Sequence, residues 1–406
     1  MDTLQFINEN RCQDVKRLAL SHIPQGVDLQ YALIQIAGYQ IAAQKLPRWA
    51  ACDGIIYPKH LSLEQCTSQS VSQFKASLVT ELFAQGPDRY ADLTGGFGVD
   101  CLFISEAIRR LNPQATCWYN EMSPDLCQIA RSNFPALGLA GIDISEGTAE
   151  EFISKHRTER FDLIYLDPAR RDAKGGKVVS IRDCQPDVSV LQDDLLDMSR
   201  YVVVKLSPML DLTRLLSELK SVISVTVISL DGECKELLVT MSNNHAGDSE
   251  IGSVNIDSKN GPGAIIKATL SKELSLPIKT AAGAIAPSTY LHEPYACHMK
   301  SGLFRTLQHR YGVQQLDVNT HLFWSETPSA DFPGRTFRIN VAIPADRHSL
   351  KQFFSHTPQA NIAVRNFPMT VAEIRQRYKV RDGGNHYVFL TSAQEVGRIL
   401  LDCERL

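Results

Sequence analysis

The sequence predicts an α/β protein: a seven-stranded, mostly parallel sheet of the nucleotide-binding kind, with a helical region before it and an α+β region after it. Three observations carry this. Arg89-Tyr-Ala-Asp-Leu-Thr-Gly-Gly-Phe-Gly-Val-Asp100 reads as a buried strand that runs into a glycine turn and then a helix. Phe161 to Leu166 reads as a second buried strand, broken at its carboxyl end by Asp167-Pro168. Around these two, strands and helices alternate through five strands and close on a hairpin, an order that builds a parallel sheet with an antiparallel last strand.

Bulk properties set the frame. A chain of 406 residues is long enough for two or three domains. Hydrophobic content of 44% and charged content of 21% are globular values, and a net charge of -3 means that any nucleic-acid surface is a local patch. The ten cysteines stand singly, with no C-x-x-C or C-x-x-H spacing, so neither a disulfide framework nor a zinc or other metal site is expected. The opening stretch, MDTLQFINENRCQDV, has no apolar signal core, and no run is apolar enough to span a bilayer. A reduced, cytoplasmic protein without a membrane partner is the expectation.

Residues 1–60 show helical spacing (Leu4, Phe6, Ile7; Val15, Leu18; Leu29 to Ala43), punctuated at Pro24 and Pro47, and read as a helical cap. Thr67 or Ser68 is a good N-cap for a helix carrying Val71, Phe74, Leu78 and Leu82. In sheets of this kind that helix packs over the ligand site, so Gln65, Ser68 and Lys75 are placed to reach a bound carboxylate; the other reading is a capped surface helix. Gly95, Gly96 and Gly98 allow a sharp turn and close approach to a ligand, and Val99 to Leu111 continue as an amphipathic helix. Ala115 to Asn120 is a second strand, ending in Glu121, an acid placed to accept hydrogen bonds from ribose hydroxyls. Ser123-Pro-Asp opens the next helix. Gly141 to Glu146 is a third strand, followed by Gly147-Thr-Ala-Glu150 where an adenine ring would sit.

Asp167, at the carboxyl end of the fourth strand, faces the glycine turn across the crevice where such sheets bind ligands. Pro168 removes a donor and fixes the turn. Arg170 to Lys177 is rich in Arg, Lys and Gly, which suits a phosphate-bearing substrate or a solvated loop. Tyr201 to Leu206 is the fifth strand, and Val222 to Leu230 with Glu236 to Met241 form the hairpin. Residues 243–263, polar and rich in Gly, Asn and Ser, read as an exposed linker. Beyond it the chain reads as smaller α+β units: a helix over Ser301 to Tyr311, strands at Arg335 to Ile343, Ala360 to Phe367 and His386 to Leu390, and a helix from Thr370 with a T-x-x-E capping box. Arg375, Arg377, Lys379 and Arg381 cluster at that helix's end, as a nucleic-acid patch or as cations suited to a helix C-terminus.

A dinucleotide fingerprint would place a third small residue where Cys101 stands, and no G-K-[ST] follows the glycines. An adenosine ligand, a ribose-binding acid and an Asp-Pro on the fourth strand remain. That combination resembles a class I S-adenosylmethionine-dependent methyltransferase, with a Rossmann-like sheet. The chain is more closely similar to a bacterial group of these that carries a C-terminal THUMP-like domain. The likeness runs through Ser62-Leu-Glu-Gln-Cys-Thr-Ser, Asp92 to Asp100, Asp167-Pro-Ala-Arg-Arg171, Asn319-Thr-His-Leu-Phe, Phe332-Pro-Gly-Arg, Ala360 to Pro368 and Asp382-Gly-Gly384.

The resemblance implies a helical region at 1–60, a methyltransferase domain at 61–245, a ferredoxin-like piece at 264–325 and a THUMP-like piece at 326–406. It implies S-adenosyl-L-methionine as cofactor, with Asp92, Gly95, Gly96 and Gly98 at the methionine part, Glu121 at the ribose, and Thr148 and Ala149 near the adenine. Further cofactor contacts fall to Gln65, Ser68, Lys75, Thr94, Phe97, Met122 and Asp167. Asp167, Pro168 and Arg170 form the catalytic set, Asp167 orienting or deprotonating the acceptor and Arg170 holding a phosphate or base. Because THUMP domains are RNA-associated, RNA is the implied substrate, with tRNA and rRNA not distinguished. Ala169-Arg170 replaces the aromatic that usually stacks a base in amine methylation. Asp-Pro-Ala-Arg is similar to uracil carbon-5 enzymes, but the fifth strand ends Lys205-Leu-Ser-Pro208 without their cysteine nucleophile, and Cys184 is a poor substitute. A ring nitrogen, an amine or a ribose hydroxyl stays open. The alternatives are a methyltransferase for a protein or small molecule, and a non-catalytic RNA-binding protein.

Overall fold

The structure, a computed structural model, describes residues 1–170, 180–245 and 247–406. The chain divides into two compact units, Met1–Ser224 with Glu236–Gly247, and Val225–Lys235 with Asp248–Leu406.

The first unit opens with helices at Thr3–Asn10, Val15–Ala19, α1 (Leu29–Lys45), Pro47–Ala50 and His60–Gln65. Phe6, Leu18, Ala32 and Ile36 form their own small core. The cap is fastened to the sheet domain by α2 (Gln69–Thr80), α3 (Val99–Leu111) and α4 (Pro124–Ala136). The Arg48 guanidinium donates to both carboxylate oxygens of Glu106 on α3, at 2.8 and 2.6 Å. The Asn133 amide on α4 forms a closed pair with the backbone of Ile56, 2.9 Å in each direction. Between these anchors Trp49 is fully buried against the rings of Phe97 and Phe103.

Five parallel strands follow: β1 (Arg89–Asp92), β2 (Thr116–Glu121), β3 (Ile142–Glu146), β4 (Phe161–Leu166) and β5 (Ser199–Leu206). Helix α5 (Ala149–Lys155) connects β3 to β4, and α6 (Val188–Met198) precedes β5. The hairpin β6 (Val222–Leu230) and β7 (Glu233–Met241) closes the set, β7 lying antiparallel to β5. The spatial order β3-β2-β1-β4-β5-β7-β6 is the expected seven-stranded arrangement, within a sheet that continues past β6 to ten strands. β4 is apolar but for Asp162, and Tyr90 to Asp92 of β1 are buried, because both faces of the central strands are covered. The chain leaves β1 in one direction and returns to β4 on its other side, which opens a crevice at their carboxyl ends.

The hairpin turn belongs to the second unit, where β6 pairs with β8 (Glu250–Asp257). Here the structure corrects the sequence: β8 crosses the expected linker and is buried over most of its length. Its small polar residues serve packing. A Cβ on Gly252 would lie 3.2 Å from the Thr226 hydroxyl, and the hydroxyl of Ser253, fully buried, hydrogen-bonds His298 Nδ1 at 2.9 Å.

A second sheet of seven strands orders Gln314–Gln315, Phe323–Ser325, Tyr290–Pro294, Gly334–Pro344, Gly397–Arg405, Tyr387–Ala393 and Asn361–Val364. One core gathers around Leu291, Phe337, Phe389 and Leu401, and another around Leu350, Phe354, Ile374 and Leu390. The helix expected over 301–311 is two helices, Ala296–Ser301 and Phe304–Tyr311, separated at Gly302, whose φ of 73° ends the first in a left-handed cap. The capping box of Thr370 and Glu373 is present.

Trp49 fixes the cap by packing alone, since its indole N–H has no acceptor among the described residues. Trp49→Ala is expected to cost about 3–5 kcal/mol in urea denaturation, and Trp49→Phe a fraction of that, because no hydrogen bond is lost.

Candidate active site

The site grows from the carboxyl ends of β1, β2, β4 and β5 and from the amino end of the antiparallel β7. In the glycine turn, the Thr94 N–H donates to Asp92 Oδ1 at 3.0 Å, the Gly95 N–H to the Asn120 carbonyl at 2.8 Å and the Gly96 N–H to Glu121 Oε2 at 2.9 Å. The Ser123 N–H holds the other Glu121 oxygen at 2.9 Å. Two of the glycines are demanded by shape. A Cβ on Gly95 would come within 2.1 Å of the Tyr119 ring, and Gly98, at φ +83°, would put one 2.7 Å from the Phe134 ring. Gly96 has open space where its Cβ would be, with only the Thr94 carbonyl within reach, at 3.9 Å. Asp92 is 1% exposed. Burial holds its carboxyl well above the usual range; the Thr94 N–H pulls the other way, and the carboxylates of Asp100, Asp167 and Glu121 add to the rise.

Opposite the turn, the Asp167 N–H donates to the Thr94 hydroxyl at 2.6 Å, which ties β4 to β1. Leu166 on β4 lies in register with Val204 on β5, so Asp167 and Lys205 are neighbours, and Lys205 Nζ reaches Asp167 Oδ2 at 2.5 Å. Leu206 pairs with Leu237 on β7, which brings Glu236 to the same edge.

Under this pair lies a buried ion network. Lys75, on α2, is fully buried, and its ammonium donates to Asp100 Oδ2 at 2.7 Å, the Thr67 hydroxyl at 3.1 Å and the Tyr165 hydroxyl at 3.1 Å, and pairs with Glu236 at 3.1 Å. Thr67 and Tyr165 also donate to Asp100 Oδ2, at 2.9 and 2.8 Å. The two carboxylates respond differently. Burial acts to raise Asp100, but Lys75 and Lys205 outweigh it and hold its pKa below the usual range. Glu236 stays above its usual range, burial prevailing over the same two ammoniums. The ionised Asp100 itself adds to the rise at Glu236. Burial opposes the charge of Lys205, yet Asp167, Glu236 and Asp100 together raise its pKa.

The structure brings Asp92, Thr94, Gly95, Gly96, Gly98, Glu121 and Asp167 together around one crevice. Lys75 meets carboxylates that are the protein's own. Phe97 turns its ring to Trp49 and Tyr57 of the cap. Thr148 caps α5, its hydroxyl accepting from the Glu151 N–H at 3.2 Å, and Ala149 is buried behind it. Gln65 is exposed, and so is Met122 at 60%. Ser68 occupies the N-cap position of α2 without a capping bond, while the Thr67 hydroxyl serves Asp100. Pro168 leads into Ala169–Arg170, whose backbone pairs with Cys184–Gln185. The Arg170 side chain and the rest of the basic stretch to Lys177 lie outside the described residues. Cys184 is 3% exposed. Arg375 pairs with Asp382 and donates to the Ala360 carbonyl, whereas Arg377, Lys379 and Arg381 are exposed.

Sequence reasoning missed Asp100, Tyr165, Lys205, Glu236 and Asn120. The Asn120 amide donates to the Leu93 and Gly147 carbonyls at 3.2 and 3.0 Å and so joins the turn to the β3 loop. One signal was available: Lys205 follows three buried valines at the carboxyl end of its strand.

The two family models that match the chain both fall within the second compact unit. A ferredoxin-like domain model matches residues 290–333 and a THUMP domain-like model matches residues 334–405. A protein of Porphyromonas gingivalis W83, provisionally described as a methyltransferase, is 32% identical with a TM-score of 0.82, over 99% of this chain and 96% of its own. The chain belongs to this methyltransferase family. It is an S-adenosylmethionine-dependent methyltransferase family with ferredoxin-like and THUMP-like domains toward the C-terminus. An O-methyltransferase of Bacillus cereus in complex with SAH is 14% identical with a TM-score of 0.34, over 50% of this chain and 100% of that one. A SAM-dependent methyltransferase of Agrobacterium tumefaciens is 16% identical with a TM-score of 0.31, over 49% of this chain and 59% of that one. Both are too remote to bear on activity. No curated protein matches the chain.

In this methyltransferase, Lys75→Met leaves Asp100 and Glu236 facing each other without their shared cation. A loss of about 3–5 kcal/mol in urea denaturation at neutral pH is expected. The loss shrinks as pH falls, because Glu236, whose pKa is already raised, takes up a proton first.

Proposed function

We propose that the chain transfers a methyl group from S-adenosylmethionine to a nitrogen or oxygen of RNA. The observation that carries the cofactor assignment is Asp92: a carboxyl taken out of water with a single backbone donor is completed by a ligand ammonium. The chain's own residues fit such a ligand. Glu121 holds two backbone N–H groups and keeps a lone pair on each oxygen for ribose hydroxyls. Ser68 Oγ, Asp100 Oδ1 and Asn120 Oδ1 are buried and have no partner among the described residues, as polar atoms awaiting a polar ligand would be. Thr148, Ala149 and the exposed Met122 would line the adenine side, and Gln65 and Ser68 the methionine side.

When bound, S-adenosylmethionine supplies a methyl group already activated on a sulfonium. What remains for the protein is to place the acceptor in line and take its proton. Asp167, fixed through its N–H to Thr94, would do this, with Pro168 setting the turn and Arg170 meeting a phosphate or base. A cysteine adduct is disfavoured: Lys205 stands at the end of β5, and burial pushes the Cys66 thiol, which feels Asp100 and Lys205, up to about 11. RNA is supported by the THUMP domain-like match at 334–405 and by the exposed Arg377, Lys379 and Arg381. No helix among the described residues is long and apolar enough to cross a membrane.

The test is transfer of label from S-adenosylmethionine to RNA of cells lacking the gene, beside protein extract of the same cells. Label in RNA that falls about 100-fold or more with Asp167→Ala supports the reading, and label in protein alone overturns it. Cofactor binding tests the role of Asp92 separately. Its raised pKa means that it gives up a proton to receive the ligand ammonium, so affinity rises with pH. Calorimetry in buffers of different ionisation enthalpy should show proton release, and Asp92→Asn should abolish both the release and tight binding.

A further inference from the structure

We propose that Lys205 is a catalytic residue and that the acceptor it serves is a hydroxyl oxygen, the 2′-hydroxyl of an RNA ribose. The assignment rests on the RNA methyl-transfer reading above and specifies its acceptor.

The argument begins with which part of the ion network a substrate can touch. Lys75, Asp100 and Glu236 form its floor, with side chains 0%, 9% and 3% exposed. The Lys205–Asp167 pair forms its mouth, with side chains 14% and 35% exposed and the two groups 2.5 Å apart. Any acceptor that Asp167 orients therefore also meets an ammonium. The carboxylates of Asp167, Glu236 and Asp100 keep Lys205 protonated, so what it offers is a hydrogen bond with a positive charge.

That offer separates the acceptor classes. A ring nitrogen or an amine has one lone pair, and an ammonium that donates to it occupies the pair needed for attack. A hydroxyl oxygen has two, one for the Lys205 donor and one for the methyl carbon. A carboxylate acceptor needs no base and would be repelled by Asp167. Within an RNA chain, where the 3′- and 5′-oxygens are esterified, the ribose 2′-hydroxyl is the group that combines an oxygen nucleophile with a proton to be removed.

In the step, the acceptor oxygen forms its bond to the methyl carbon while its proton passes to the Asp167 carboxylate. The carbon–sulfur bond breaks, the pair stays on sulfur, and the sulfonium becomes a thioether. One positive and one negative charge are neutralised together, and Lys205 keeps its protons while it stabilises the charge collecting on oxygen. Glu236 and Asp100 act on Lys205 through their charge and, with Lys75, touch no reacting atom.

The test uses the full chain, tritiated S-adenosylmethionine and RNA from cells lacking the gene, followed by alkaline hydrolysis. A methylated 2′-oxygen cannot attack the adjoining phosphate, so the label should be recovered in alkali-resistant dinucleotides. Label in mononucleotides would leave RNA methylation standing and overturn the hydroxyl acceptor. RNA without label, from protein that binds the cofactor, would overturn the RNA reading and this proposal with it. Lys205→Met should slow single-turnover transfer about 10²–10³-fold while cofactor affinity changes by no more than about threefold. Lys205→Arg, which keeps the charge, should retain more activity than Lys205→Met and guards against a folding defect. Dinucleotide label formed at the wild-type rate by Lys205→Met would remove Lys205 from the chemistry.

Discussion

The ammonium of Lys75 is the point on which the carboxyl end of the sheet depends. A lysine with no exposure to water is held there by Asp100, Glu236, Tyr165 and Thr67. Those partners come from the helix that follows the glycine turn, from the hairpin, from β4 and from the entry to α2. Desolvating an ammonium costs several kcal/mol unless carboxylates and hydroxyls surround it. Each element must therefore arrive in register for any of them to be stable. Asp100 is the second residue of α3, so the same contact that offsets the burial of Lys75 also fixes the direction in which the glycine turn leaves β1.

The charges around the crevice suit a cationic ligand. Among the described residues, Asp92, Asp100, Asp167, Glu121 and Glu236 share it with Lys75 and Lys205; burial drives Asp92 toward its neutral form, and the nearby carboxylates add to the rise. A site built this way suits positive charge, which the sulfonium and amino group of the cofactor would supply on the reading proposed above. The polar groups are held by backbone donors and strand register, so little rearrangement is needed as charge moves during transfer.

Much of the sheet was legible because its signals are local. Phe161 to Leu166 is apolar but for Asp162, Gly95 and Gly98 sit where Tyr119 and Phe134 forbid a side chain, and Glu121 lies at the tip of its strand. The ion network was not legible, because its partners are far apart in the chain: Lys75 is 90 residues from Tyr165 and 161 from Glu236, and Asp167 is 38 from Lys205. No spacing rule connects them; only strand register does. β8 was missed for a different reason. Its Gly252 and Ser253 look like linker composition, and only the nearby Thr226 and His298 show that a small residue and a buried hydroxyl were required. The last strand, Gly397–Arg405, was missed because its apolar run is short and is flanked by charged residues.

The hairpin has a further consequence. Between Ser224 and Val225, between Lys235 and Glu236, and between Gly247 and Asp248 the chain passes from one compact unit to the other. The C-terminal half is thus an excursion begun inside the last hairpin, and β7 is the return path. Glu236 is the first residue after that return. Ending the chain at Ser224 would remove the strand that carries Glu236, so the methyltransferase half keeps its ion network only in a chain that runs on through β7.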